Sequence, residues 1–141
     1  MKIKFALLIV ALSLSLSNCK KDKQNSPKSL TSKTWRRGLI DKNPATNPTG
    51  KVLYYAVETC ERDDTFKFGK DGKLTVNRSN HKCDPNKIKI ESQPYTLDTI
   101  AKKLIIDGTE YTLAEASLEQ IKYYSTVPEG VGFESLIYLL Q

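Results

Sequence analysis

Asp64-Thr65-Phe66-Lys67-Phe68, then Gly69-Lys70-Asp71-Gly72, then Lys73-Leu74-Thr75-Val76-Asn77 is the stretch on which the fold turns. Both flanks alternate apolar with polar residues, the period of a strand with one face buried. The four residues between them carry glycine where a tight turn demands positive φ. The reading is an antiparallel hairpin. Pairing Phe68 with Lys73 sets a register in which Phe66 faces Thr75. Extended outward, that ladder places Cys60 opposite His81, two residues short of Cys83. A small shift past the strand end brings the two cysteines together, at the ~5.5–6 Å between Cα atoms that a disulfide requires.

The same punctuation continues on both sides. Thr34-Trp35-Arg36-Arg37-Gly38-Leu39-Ile40 opens the ordered part, and a loop with Asn43, Pro44, Asn47, Pro48 and Gly50 follows. Lys51 to Val57 is rich in β-branched and aromatic residues. Beyond the hairpin, Cys83-Asp84-Pro85-Asn86 is a turn, and Lys87-Ile88-Lys89-Ile90-Glu91 alternates strictly. Gln93-Pro94 breaks that run, and Tyr95 to Asp98 resumes it. Asp107-Gly108, between Lys103–Ile106 and Thr109–Leu113, is a type I′ hairpin signal. Ser117–Tyr124 and Val131–Leu140 make a last pair, although Ala114–Gln120 has the composition of a helical turn. Eight or nine short strands and no long helix predict an all-β domain. The expected form is a small antiparallel up-and-down barrel of about eight strands, with an open β-sandwich as the alternative.

The chain begins differently. Met1-Lys2-Ile3-Lys4 is positive, Phe5 to Leu16 is largely apolar, and Ser17-Asn18-Cys19 follows. A run of twelve is too short for a membrane-spanning helix, which takes ~20 residues. The pattern resembles a bacterial lipoprotein signal, with Asn18 where a smaller residue is commoner. A plain secretory signal cut nearby is the competing reading. The lipoprotein resemblance implies cleavage after residue 18, acylation of Cys19 and anchorage to a membrane. Lys20, not aspartate, follows Cys19, so the expected membrane is the outer one, with the domain facing the periplasm or the outside. Cys60 and Cys83 then remain as an even number in an oxidising compartment, where a disulfide is the ordinary outcome. Residues 20–29 are polar, lysine-rich and carry Pro27, so residues 19–29 read as a lipidated tether ahead of a domain at 30–141.

Composition narrows the partners. The formal charge of +6 includes Lys2 and Lys4, which leaves +4 after cleavage. Lys20, Lys21, Lys23 and Lys28 lie in the tether, so the domain is near neutral. No concentrated basic face remains for nucleic acid.

These residues resemble the lipocalin-like lipoproteins of Bacteroidota-type bacteria. The resemblance rests on Leu30-Thr31-Ser32-Lys33-Thr34-Trp35, on Cys60 to Phe66 with Asp71-Gly72 and Cys83-Asp84-Pro85, and on Leu104 to Gly108 with Tyr111-Thr112-Leu113. It covers about Leu30 to Leu113. It implies a barrel with Trp35 packed at its closed end, and a cell-envelope location.

Alternation assigns Phe66, Phe68, Leu74, Val76, Ile88, Ile90, Tyr95, Leu97, Leu104, Ile106, Tyr111, Leu113, Ile121 and Tyr123 to the interior. An eight-stranded barrel is either filled by such side chains or holds one small ligand. If it holds one, Phe66, Phe68, Tyr95, Tyr111 and Tyr123 are the candidate binding residues for a small hydrophobic molecule. Tyrosine is also simply a good half-buried strand residue.

Catalysis finds no constellation. His81 is the sole histidine, in the polar run Asn77 to Lys82, and no G-x-S-x-G elbow marks a nucleophile. Asp63 and Asp64 are strand neighbours, which point to opposite faces. Zinc on Cys60, His81 and Cys83 would lack a fourth ligand and the usual C-x₂-C spacing. The expectations are a monomeric, non-catalytic domain without metal or cofactor. It acts as a ligand-binding module, or as an interaction lipoprotein with a filled core that works through its loops.

Overall fold

A computed structural model describes residues 28–79 and 83–141. Nine strands make the fold: β1 (Trp35–Arg36), β2 (Val52–Tyr54), β3 (Thr65–Phe68), β4 (Lys73–Asn77), β5 (Ile90–Asp98), β6 (Lys103–Ile106), β7 (Thr109–Ala116), β8 (Ile121–Thr126) and β9 (Ser135–Leu140). No α-helix occurs among the described residues; Pro44–Thr46 and Thr59–Glu61 are single 3-10 turns. Their order is β1-β3-β4-β5-β6-β7-β8-β9-β2. From β3 to β9 this is an antiparallel meander, as the short turns require.

The sheet curls until its ends meet. Arg36 N–H donates to the Gln141 carbonyl at 2.9 Å, Gln141 N–H returns the bond to Arg36 at 2.9 Å, and Gly38 N–H reaches the Leu139 carbonyl at 2.9 Å. Arg37 forms an antiparallel bridge with Leu140. One end of β9 is thereby closed by the chain leaving β1. The other end is covered by β2, which runs parallel to β9 with Val52 opposite Ser135. The all-antiparallel expectation misses this pair. Lys51–Val57 holds a strand, but only Val52–Tyr54 of it, and it lies along the same edge of β9 as the chain after β1.

Two register expectations are corrected. In the central hairpin Phe68 pairs with Leu74 and Phe66 with Val76, one residue from the expected Phe68–Lys73 pairing. Directly opposed residues share a face, so an inward phenylalanine must face an inward leucine. Gly69 N–H bonds the Lys73 carbonyl at 2.8 Å, which draws Lys73 into the turn, and Gly72 supplies φ +78°. The second correction concerns β5. Gln93-Pro94 does not interrupt it. The strand runs through Pro94, whose carbonyl accepts from Asp107 N–H at 2.9 Å, just where pairing passes from β4 to β6. With Tyr95 and Leu97 inside, unbroken alternation turns Glu91 and Gln93 inward and Ile88 and Ile90 outward. Ile88 and Ile90 are 62% and 60% exposed. Glu91 is paired with Arg78, and hydrogen bonds from Gln93 and Arg78 hold its carboxyl below the usual range.

The interior is a continuous core of Leu30, Trp35, Phe66, Phe68, Leu74, Val76, Tyr95, Leu97, Leu104, Leu113, Ile121, Tyr123 and Leu140. Ile106 and Tyr111 pack on it, partly buried. A register shift at Leu113/Glu115 in β7 lets Leu113 and Ala116 both face inward although they are an odd number apart. Trp35 is fully buried and its indole N–H donates to the Leu30 carbonyl at 2.9 Å. The Ser29–Ser32 turn is pinned in place by Ser29 Oγ donating to the Ala116 carbonyl at 3.0 Å. Ala116 ends β7 and Ser117–Gln120 is a tight turn, so no helical turn forms there.

Candidate functional site

The five residues assigned to ligand binding divide into two groups. Phe66, Phe68 and Tyr95 are buried in the packed core. Phe68 and Tyr95 meet edge to face at 5.0 Å, and the Tyr95 hydroxyl donates to the Gly69 carbonyl at 2.7 Å. A residue so engaged stabilises the hairpin turn; Phe68 and Tyr95 offer no free surface. Tyr123 is buried in the same core, Tyr111 packs on it, and the two form an aromatic group with Tyr138 and Tyr55. Tyr123 and Tyr138 are cross-strand partners and stack at 5.2 Å. Tyr55 stacks on the Tyr138 ring at 5.2 Å, and Tyr111 stands edge-on to both Tyr123 and Tyr138 at 5.1 and 5.7 Å.

Arg37 lies among these rings. Trp35 points inward, so alternation sends Arg37 inward too. Its guanidinium carbon is 4.6 Å from the Phe66 ring centre, 5.0 Å from Tyr55 and 6.0 Å from Tyr138. Ring faces attract a cation by roughly 0.5–2 kcal/mol each, which offsets part of the cost of taking it from water. The offset is incomplete. Nε and Nη1 of Arg37 are shielded from solvent and have no hydrogen-bond partner among the described residues. Among the described residues, ion pairs join Arg36 to Asp63, Arg78 to Glu91, Lys103 to Glu110 and Lys122 to Asp41, and none reaches Arg37. Tyr55, whose ring faces the guanidinium, has its hydroxyl donating to both Glu61 oxygens at 2.9 Å. Burial and this carboxylate push the Tyr55 hydroxyl up to about 12. Burial likewise raises Tyr123, against the opposing pull of Arg37.

A cavity of about 230 Å³ lies where β9 parts company with β2 and with the chain after β1. It is lined by Arg37, Leu39, Tyr55, Val57, Ile137 and Leu139, among others. Val57 also lines a wider depression of about 780 Å³ with Glu58, Thr59, Cys60, Asp63 and Ser79. The wall of the smaller cavity is mostly apolar, with the Tyr55 side chain and Arg37 among the lining residues. Among the described residues that line it, none is a nucleophile held against a base.

A second polar cluster lies on the outer face of β8 and β9. Lys122 is 0% exposed. Its Nζ donates to the Asn43 carbonyl at 2.6 Å and Asn47 Oδ1 at 2.8 Å, and lies 2.8 Å from Asp41 Oδ2. Gln120 donates to Asp41 and Glu115 and accepts from Lys42 N–H and Gln141. Tyr54 adds a 2.7 Å bond to Asp41. Burial alone would raise the Asp41 carboxyl, but hydrogen bonds from Lys122, the Asn43 backbone, Tyr54 and Gln120 outweigh it and hold it down at about 2. Every partner in the cluster is satisfied, so it fastens residues 41–47 to the barrel wall.

Cys60 and Cys83 form a disulfide with Cα atoms 5.3 Å apart. Glu58, Cys60 and Cys83 lie close together, but with both sulfurs bonded they offer no thiolate for a metal. Cys19, the tether to residue 27 and His81 lie outside the described residues. Sequence reasoning missed Arg37, Tyr55 and Tyr138 as a group; the parity of Trp35 and Arg37 was the available signal for the first. No family model, no curated protein and no solved structure matches the chain.

Proposed function

We propose that this is a non-catalytic, lipocalin-like binding module of the cell envelope, moored to the outer membrane by lipid on Cys19. It takes a small, largely apolar molecule at the Arg37–tyrosine end of the barrel. The observation that carries the reading is the contrast inside the barrel. The core around Trp35, Phe66, Phe68 and Leu104 is solid, whereas Arg37 and Tyr55 line a cavity at the seam of the barrel. Polar groups converging on an apolar cavity are the usual make-up of a ligand site. The export-type N-terminus and the cysteine pairing support the location. The test is mass spectrometry of the protein purified from its native membrane. The expected result is acyl chains on Cys19 and a small molecule carried with the protein. An unacylated Cys19 would remove the anchor, and no bound molecule would remove the binding role.

A second reading has its own support. Phe66, Phe68 and Tyr95 are packed rather than available, and Leu39, Ile40 and Leu53 are exposed apolar residues. A filled barrel that works through its loops as an accessory subunit or inhibitor fits these facts. Cross-linking in whole cells that traps a partner through residues 39–53, with nothing bound inside, would favour it.

A further inference from the structure

We infer that the barrel end carrying the 99–102 and 117–120 turns docks on the surface of a phospholipid bilayer, with Ile100 and Leu118 pressed into it. This rests on the lipid-anchor part of the proposed function and adds the face that the anchored domain turns to its membrane. Ile100, Ile40 and Leu118 are the most exposed large apolar residues among those described, at 96%, 77% and 68%. The register gathers them at one end. Lys103 is opposite Thr112, and Leu113 N–H donates to the Lys102 carbonyl at 2.7 Å, so the turn before β6 lies beside the last residues of β7. The turn after β7 carries Leu118, and Ala116 pairs with Ile121 across it. Gln141 ties Ile40 to the same place, since its side-chain amide donates to the Ile40 carbonyl and to the Gln120 side chain. The chain also enters the barrel here, with Ser29 Oγ donating to the Ala116 carbonyl at 3.0 Å. Lys28 follows Cys19 by nine residues. Nine residues reach at most about 32 Å. A lipid on Cys19 therefore ties the barrel to the bilayer by this end.

Both turns hold an apolar side chain at a tip where polar residues and glycine are the rule. The Asp98 carboxylate accepts from the Ile100 and Ala101 N–H groups at 2.9 Å each, and Lys102 takes φ 52°. The Ser117 hydroxyl accepts from the Glu119 and Gln120 N–H groups at 3.3 and 3.0 Å, and Ser117 N–H donates to the Gln120 carbonyl at 2.9 Å. These bonds fix the tips before contact, which lowers the cost of ordering them on a surface. Lys28, Lys42, Lys70 and Lys102 are exposed around this end, but Asp71, Asp98 and Glu119 are exposed among them. Apolar contact rather than a basic face thus makes the attachment. Moving one isoleucine or leucine from water into apolar surroundings favours it by roughly ten- to a hundredfold. Three side chains on separate segments fall short of the ~800 Å² that each partner gives to a stable protein interface. A fluid bilayer closes round separate tips.

The test uses isotope-labelled protein purified from its native membrane and placed in nanodiscs of phosphatidylethanolamine and phosphatidylglycerol, some lipids carrying a nitroxide on the acyl chain. The nitroxide should broaden the Ile100 and Leu118 methyl resonances. It should spare Ile90 and Val131, which lie toward the opposite end of the barrel. Ile100→Asp should lower the docked population about tenfold or more and so remove the broadening at Leu118, and Leu118→Asp should do the same at Ile100. Val131→Asp should change neither. Unaltered Leu104 and Ile121 resonances in the core would show that the variants fold. Equal broadening at both ends, or sharp methyls throughout on protein that stays with the discs, would overturn the docking and leave the anchor. Protection of Ile100 and Leu118 by a second copy or by another envelope protein, in place of lipid, would overturn it as well. Protein that fails to join the discs would overturn the anchor and the docking together.

Discussion

Arg37 and Lys122 are both charged residues of β-strand wall, and they are treated in opposite ways. Lys122 is fully buried but has three oxygen partners. Arg37 is shielded at two nitrogens that have none. Removing one member of a paired buried set leaves the other uncompensated and costs roughly 3–5 kcal/mol, whereas replacing both by apolar residues is often nearly neutral. Asp41→Ala should therefore destabilise by about 3 kcal/mol in denaturant titration. Asp41→Leu with Lys122→Met should recover most of that loss. The Asp41 carboxyl is held at about 2 against an ordinary 3.8. A depressed carboxyl gives stability that is present above its unfolded pKa and is lost as pH falls through its folded one. Thermal scans should accordingly show a loss on the order of 2 kcal/mol between about pH 4 and 2, and Asp41→Asn should flatten it. At Arg37 the expected sign is reversed. Arg37→Met should hold or raise the melting temperature, because a cation without a full set of partners is removed. Lys122 showed nothing of this in the sequence. Its strand alternates inward at Ile121 and Tyr123, which makes Lys122 read as a solvent-facing residue. It is buried because a loop distant in sequence lies over it.

At the scale of elements, the alternation in residues 64–77 was enough to find the hairpin, its inward face and its cysteine staple. It was not enough to fix the register, because Gly69-Lys70-Asp71-Gly72 permits more than one loop closure and only the demand that Phe68 meet Leu74 chooses between them. Asp107-Gly108 behaves as its dipeptide predicts, with φ of 48° and 79°. Reading Pro94 as a break puts Ile88 and Ile90 on the wrong face. In the barrel Pro94 sits where its missing N–H is not needed, and the strand continues. Nothing local to Val52–Tyr54 specifies a parallel partner more than eighty residues away. Two substitutions test this level. Cys60→Ser with Cys83→Ser opens a loop of sequence separation 23 and should cost about 3 kcal/mol in denaturant titration. Gly38→Ala places a methyl group 2.8 Å from Leu139 Cβ and 2.8 Å from Gln141 Cδ, in the seam where the ends of the sheet meet. It should destabilise by about 1–3 kcal/mol, as overpacking does.

The whole molecule is a barrel whose last strand has two neighbours along one edge. The chain after β1 closes Leu139–Gln141 and β2 closes Ser135–Ile137. The cavity lined by Arg37, Leu39 and Tyr55 lies where those two neighbours separate, at the seam that completes the barrel. Hydrogen exchange of the full chain, read amide by amide, tests this closure most directly. The account predicts that the Arg36, Gly38 and Gln141 amides exchange as slowly as those pairing β8 with β9. Free exchange at these three amides, with β8 and β9 still protected, would mean that the barrel does not close and that Arg37 is not held inside it.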